Sequence, residues 1–202
     1  MVNLRRHLDN VREVYGIPCV VAVNRFPTDT DDEIARVVSL CADEGVRAFP
    51  ATHFADGGVG AESLAKGVLE LLDEPSPYEF SYTYEDDLSL TAKVETIASR
   101  LYGAREVTWD GKARRRLDRI EADGYGHLPV CVAKTQYSFS TDSKLRGAPS
   151  GHELHVREVR LAAGAGFVVM VCGDVMTMPG LPKTPSATRI DVTPDGRIVG
   201  LF

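Results

Sequence analysis

Pro18-Cys19-Val20-Val21-Ala22-Val23 runs without a charged side chain into Asn24-Arg25-Phe26-Pro27-Thr28-Asp29-Thr30. A short apolar run followed at once by turn residues suits a strand covered on both faces, as in parallel sheets. Upstream, Leu4, Leu8, Val11 and Tyr15 recur at helical spacing and Gly16 stops that helix. Downstream, Thr30 and Glu33 form a capping-box pair ahead of an apolar stripe of Ile34, Val37, Val38 and Cys41, which Gly45 closes. Residues 47–51 read as a weaker strand and residues 52–60 as a Gly-rich loop. A third helix carries Leu64, Val68, Leu71 and Leu72. The order helix–strand–helix–strand–helix implies parallel strands joined by crossover helices. Two strands make a poor sheet. This half is therefore expected to complete a larger sheet whose other strands lie outside the chain.

Glu74-Pro75-Ser76-Pro77 marks a boundary. The expected division is residues 1–75, the C-terminal segment of an α/β domain, and residues 76–202, a smaller α/β domain. In the second part Leu90, Val94, Ile97 and Leu101 mark a helix ended by Gly103. Another runs from about Gly111 to Asp123 with Leu117 and Ile120 inward. Residues 128–133, 154–163 and 167–172 read as strands, with Gly164-Ala165-Gly166 turning between the last two. Pro194-Asp195-Gly196 precedes a last strand over 197–202.

Composition narrows the function. The 202 residues are 44% hydrophobic and 26% charged, ordinary for a soluble domain, and 23 basic against 29 acidic residues give a net charge of −6. That is not the footprint of a nucleic-acid binder. Arg114-Arg115-Arg116 lies beside Asp118 and Glu121 and reads as a solvated helix face. No run is long enough for a membrane span, and no apolar stretch behind the N-terminus suggests a signal peptide. Cys19, Cys41, Cys131 and Cys172 have no metal-ligand spacing; reduced, buried thiols in a cytoplasmic protein are expected.

Three segments stand out chemically. Asn24 to Thr30 sits at the carboxyl end of a parallel strand and ahead of a helix N-terminus, where open α/β sheets bind ligands and anions are favoured. Phe26 is either an aromatic at that rim or a packing residue under the loop. An Asn closing a strand ahead of a basic residue resembles the base-reading motif of GTPases, but the Asp required three positions on is Pro27, which removes guanine specificity. Asn24 is left as a looser contact to a nucleotide base, or as a turn-forming Asn. The second segment is Thr52-His53-Phe54-Ala55-Asp56-Gly57-Gly58-Val59-Gly60. With parallel neighbouring strands, Phe54 and Phe26 emerge at one sheet edge and can flank a flat heterocycle. His53 and Asp56 form a possible proton-transfer pair; no metal site is expected. The third segment, Gly173-Asp174-Val175-Met176-Thr177-Met178-Pro179-Gly180-Leu181-Pro182-Lys183-Thr184-Pro185, is a stiff proline-pinned loop, either a platform or a structural wrap. The chain contains no G-x-x-x-x-G-K-[ST] phosphate loop, no G-x-G-x-x-G fingerprint and no G-x-S-x-G elbow.

Val21-Ala22-Val23-Asn24-Arg25-Phe26-Pro27-Thr28-Asp29-Thr30 resembles the strand and loop of formate–tetrahydrofolate ligases. So do Pro129-Val130-Cys131-Val132-Ala133-Lys134-Thr135-Gln136-Tyr137-Ser138, Lys144-Leu145-Arg146-Gly147-Ala148-Pro149, Ala163-Gly164-Ala165-Gly166-Phe167, Met176-Thr177-Met178-Pro179-Gly180-Leu181-Pro182-Lys183 and Gly200-Leu201-Phe202. The resemblance covers essentially the whole chain. It implies a P-loop-type parallel α/β domain and a cytoplasmic enzyme. It also implies synthesis of 10-formyltetrahydrofolate from formate, tetrahydrofolate and ATP through formyl phosphate, with Mg and a monovalent cation. It places the folate ring between aromatics of two loops. Phe26 with Pro27 matches the first, and Phe54 falls where Trp is usual. Pro50 takes the place of an apolar residue lining the slot. The family's phosphate loop, its Lys and the Arg that meets formyl phosphate are implied upstream of this sequence. The chain is thus expected to be a truncated or split ligase, alone inactive toward ATP, with a homo-oligomer as the family assembly. The alternatives are a stand-alone folate-binding or interaction module, or an inactive paralogue.

Overall fold

The computed structural model describes residues 1–133, 139–173 and 182–201. It is a mixed α/β structure with parallel sheets, as expected. Helix α1 (Val2–Asp9) runs on as a wider π-type turn over Asn10–Val14 and ends at Gly16. Gly16 has φ +63, and a Cβ there would lie 1.9 Å from the Glu79 carbonyl oxygen, so both backbone and packing demand glycine. Strand β1 (Val21–Asn24) leads to α2 (Asp31–Asp43), β2 (Ala48–Ala51), the short α3 (His53–Asp56), a 3₁₀ turn at Gly57–Ala61 and α4 (Glu62–Asp73).

β1 and β2 pair in parallel, with Val23 opposite Pro50 and Asn24 opposite Ala51. The Val21 and Arg25 N–H groups donate to the carbonyls of Arg47 and Ala51. The alternation of a parallel ladder then turns the polar groups of Ala48 and Pro50 to the outer edge of β2. Pro50 has no donor to offer there, and the Thr52 N–H is occupied by the Gly60 carbonyl at 3.0 Å.

The expected capping box is present: Thr30 accepts from the Glu33 N–H, and the Glu33 carboxylate accepts from the Thr30 N–H at 3.0 Å. The expected Gly-rich loop over 52–60 is instead helical, α3 followed by the 3₁₀ turn. Local hydrogen bonds to the Thr52 carbonyl from Ala55 and Asp56, at 3.0 and 2.9 Å, wind the segment. In α4, Leu64, Gly67 and Leu71 face inward while Val68, Leu69 and Leu72 are exposed.

The main core lies in the second half. Helix α5 (Leu90–Arg100) buries Leu90, Val94, Ile97 and Ala98, and α6 (Gly111–Ile120) buries Ala113, Leu117 and Ile120; both are helical stripes. They cover alternating inward residues of β5 (Glu153–Val156), β6 (Glu158–Ala162) and β7 (Phe167–Val171), among them Leu154, Val156, Val159, Val168 and Met170. Each such side chain contributes roughly 1.5–3 kcal/mol.

β3 (Glu106–Trp109) pairs parallel with β5, and β4 (Val130–Ala133) pairs parallel with β7, which pairs antiparallel with β6. The single strand expected over 154–163 is two, because residue 157 changes partner. Val156 still bonds toward β3 through the Asp110 N–H, whereas the Arg157 N–H donates to Val171 of β7 at 2.8 Å. The last strand is a two-residue pairing, β8 (Asp191–Val192) with β9 (Ile198–Val199). Lys93 on α5 is fully buried, and its ammonium donates to the carbonyls of Gly126, His127 and Leu128 at 3.1–3.3 Å. That clamp ties the turn after α6 to α5. Burial lowers the Lys93 pKa from its ordinary value.

Cys41 and Cys172 are buried and Cys19 is partly so, but Cys131 is exposed. The expectation of four buried thiols fails there because β4 turns Val130 and Val132 to the core and Cys131 to the other face. No helix among the described residues is long and apolar enough to cross a membrane.

Candidate functional site at the carboxyl edge of the first sheet

Because β1 and β2 are parallel, the segments that follow them leave the sheet at one edge. Asn24 is the last residue of β1 and is exposed. Beyond it the chain makes a tight turn with Pro27 and Thr28 in the middle. The Asp29 N–H donates to the Phe26 carbonyl at 3.0 Å, and the Asp29 carboxylate accepts from the Phe26 N–H at 2.8 Å. Pro27 presets the turn, and Asp29 bonds both polar groups of Phe26, so the ring is carried on a fixed backbone. Arg25 reaches across to Asp31 at 2.6 Å and braces the turn against the first turn of α2.

Phe26 is 63% exposed and Phe54 93% exposed. Phe26 is therefore not a packing residue beneath the loop. Phe54 stands on α3, three residues past β2, its ring almost wholly in solvent. No ring contact joins Phe26 to Phe54 among the described residues; both are exposed at the rim of one sheet edge. Pro27 and Pro50 are exposed as well, Pro50 within β2 opposite Val23.

The segment bearing Phe54 is closed by the Thr52–Gly60 bond. A Cβ at Gly60 would lie 2.5 Å from the Thr52 carbonyl carbon and 2.6 Å from the His53 nitrogen. At Gly60 the glycine permits the chain to approach itself. Sequence reasoning missed Asp29, although a Pro-Thr-Asp turn is the signal that finds it.

His53 and Asp56 both lie on α3, exposed, with no hydrogen bond or ion pair between them among the described residues. Nor do the described residues group three or more His, Cys, Asp or Glu side chains fit to hold a metal. The proline-pinned segment falls largely on residues 174–181, which lie outside the described residues, as do 134–138.

Comparison with known proteins agrees over the full length. The model of the family described as formate–tetrahydrofolate ligase matches residues 1–202. The chain is 72% identical over 201 residues to a formate–tetrahydrofolate ligase of Nocardioides sp., an alignment covering 100% of this chain and 36% of that protein. It is 54% identical over 200 residues to the ligase of Methylococcus capsulatus, covering 99% of this chain and 36% of that protein. It is 54% identical over 202 residues to the ligase of Methylobacterium nodulans, covering 100% and 36%. The chain thus spans about a third of the length of these relatives. A family match from the first residue to the last places this chain in the formate–tetrahydrofolate ligase family.

Proposed function

We propose that this chain acts as the C-terminal portion of an ATP-dependent formate–tetrahydrofolate ligase, and that it supplies the folate-stacking rim. The observation that carries the reading is the pair of solvent-exposed rings, Phe26 and Phe54, set at the same edge of a parallel sheet. Leaving two such apolar faces in water is unfavourable, and a flat pterin placed against them removes that cost. Pro27 and Pro50 are the rigid apolar neighbours that line the slot, and the Asp29 turn fixes Phe26 in advance of binding. Preorganisation of this kind reduces the ordering cost of association. Asn24, at the tip of β1, is assigned a contact to the nucleotide base.

The phosphate chemistry is assigned elsewhere. The sequence has no G-x-x-x-x-G-K-[ST] loop, and the described residues gather no cluster of three or more His, Cys, Asp or Glu side chains that could hold a metal. No step of formyl phosphate formation is attributed to these side chains. Under this reading residues 1–75 complete a P-loop-type α/β domain, residues 76–202 form a smaller α/β domain, and the remaining ligase portion brings ATP, Mg, the monovalent cation and formate. The assembled enzyme is cytoplasmic and homo-oligomeric. A second reading, a folate-binding module or inactive paralogue, is favoured by Phe54, since the resemblance implies the broader Trp there.

Titration of the folded chain with tetrahydrofolate tests the rim. Saturable binding is expected, weakened about tenfold or more by Phe26→Ala and tightened by Phe54→Trp. Binding that Phe26→Ala leaves unchanged, or no binding by a chain with intact circular dichroism, overturns the assignment. Turnover of ATP only after addition of the remaining ligase portion favours the ligase reading over the module.

A further inference from the structure

A second concave site lies at the carboxyl ends of β3, β5 and β7. Just beyond these strands lie Asp110, Arg157 and Gly173, and the first turn of α6 adjoins them around a cleft of about 780 Å³. Lys112 and Arg116 bring two cations to it, and Arg157, Arg160, Asp110 and Glu158 complete its charged lining.

Glu158 is held by Arg160 through two bonds of 2.7 Å, which lowers its pKa below the ordinary carboxylate range. Asp110 stands at the N-cap position of α6 yet makes no capping bond; its carboxylate lies 3.4 Å from Nε2 of His155, whose Nδ1 meets the Thr108 hydroxyl at 2.9 Å. Lys112 and Arg116 make no ion pair among the described residues. Spaced four apart on α6, they repel one another.

We propose that this cleft binds a small polyanion, a ligand carrying two or more phosphate or carboxylate groups. Arg116 presents a planar fork suited to either oxyanion, Lys112 adds a mobile charge, and the uncapped start of α6 adds N–H donors beside them. The position matches the rule that ligands settle beyond the carboxyl ends of parallel strands. The site shares no residue with the Phe26–Phe54 rim and does not depend on the folate reading.

The test is titration of the ¹⁵N-labelled 202-residue chain with inorganic pyrophosphate and, separately, with tricarballylate. Saturable shifts at the Lys112 and Ala113 amides are expected, with affinity lowered about tenfold or more in Lys112→Ala/Arg116→Ala. Both positions are exposed and alanine favours helix, so this variant keeps its fold. Arg119→Ala, whose side chain pairs with Asp123 outside the cleft, should leave the affinity unchanged. Tighter binding of pyrophosphate assigns a phosphorylated ligand and tighter binding of tricarballylate a polycarboxylate; either supports the site. Shifts that fail to saturate overturn it, and so does equal weakening by Arg119→Ala. Binding of an acidic polypeptide with neither small anion saturating overturns it too.

Discussion

Gly67 lies in the interior of α4, where glycine is a poor helix former, and the Phe49 ring explains it: a Cβ built at Gly67 would meet that ring at 2.1 Å. Alanine would gain about 1 kcal/mol of helix propensity. It would also force the aromatic off its seat between α4 and β2, and overpacking of this kind costs typically 1–3 kcal/mol. The second effect should win. Gly67→Ala is expected to lower the urea midpoint with no rise in helicity; an unchanged or raised midpoint would show that Phe49 can move aside. The rim residues were legible one by one, because Phe26, Pro27 and Asn24 immediately follow an apolar run and Phe54 follows the next. Their exposure was not. Exposure depends on what packs over a side chain, and a position in sequence carries no record of that. The pinning of Phe26 by Asp29 was within reach, since it is local; the Gly60 approach to Thr52 was less so, since eight residues of chain must fold back to create it.

Helix α2 shows what an element can encode in its own first turn. The backbone N–H of Thr30, and then its hydroxyl, hold the Glu33 carboxyl below the ordinary carboxylate value of 4.5. A carboxylate lowered on folding adds stability that is present above its unfolded pKa and lost as pH falls through the folded one. Thr30→Ala is expected to cost about 1 kcal/mol at neutral pH. Measured from denaturation midpoints, that cost should shrink below about pH 4.5, as Glu33 takes a proton in both proteins. A cost that stays constant down to pH 3 would count against the reciprocal cap. Caps and apolar stripes made α2, α5 and α6 readable because helices satisfy their backbones locally. The strands were harder. β3 is a four-residue strand, Glu106-Val107-Thr108-Trp109, and its identity comes from β5, which lies more than forty residues later. Likewise nothing within residues 154–163 marks Arg157 as the place where one strand exchanges partners.

At the scale of the molecule, α1 is fastened to the far half of the chain. Asn10 is buried and its Nδ2 donates to the Leu101 carbonyl at 3.0 Å, joined by Nε of Arg6 at 3.2 Å. Leu101 is the C-cap that follows α5, so its carbonyl would otherwise lack a helical partner. Asn10→Ala is expected to cost about 1–2 kcal/mol. Amides of residues 2–14 should then exchange faster while those of α5 and α6 keep their protection; uniform loss of protection would mean that α1 unfolds only with the whole. The first sheet also has a direction of growth. Pro50 removes one donor from the outer margin of β2, and the Thr52 N–H beside it is already taken. The opposite margin, along Ala22 and Asn24, keeps its hydrogen-bonding groups. Recruitment of another strand therefore favours one side: an incoming chain would zip along β1 and come to rest against Asn24, leaving the Pro50 flank as a selvage that resists fraying into aggregates.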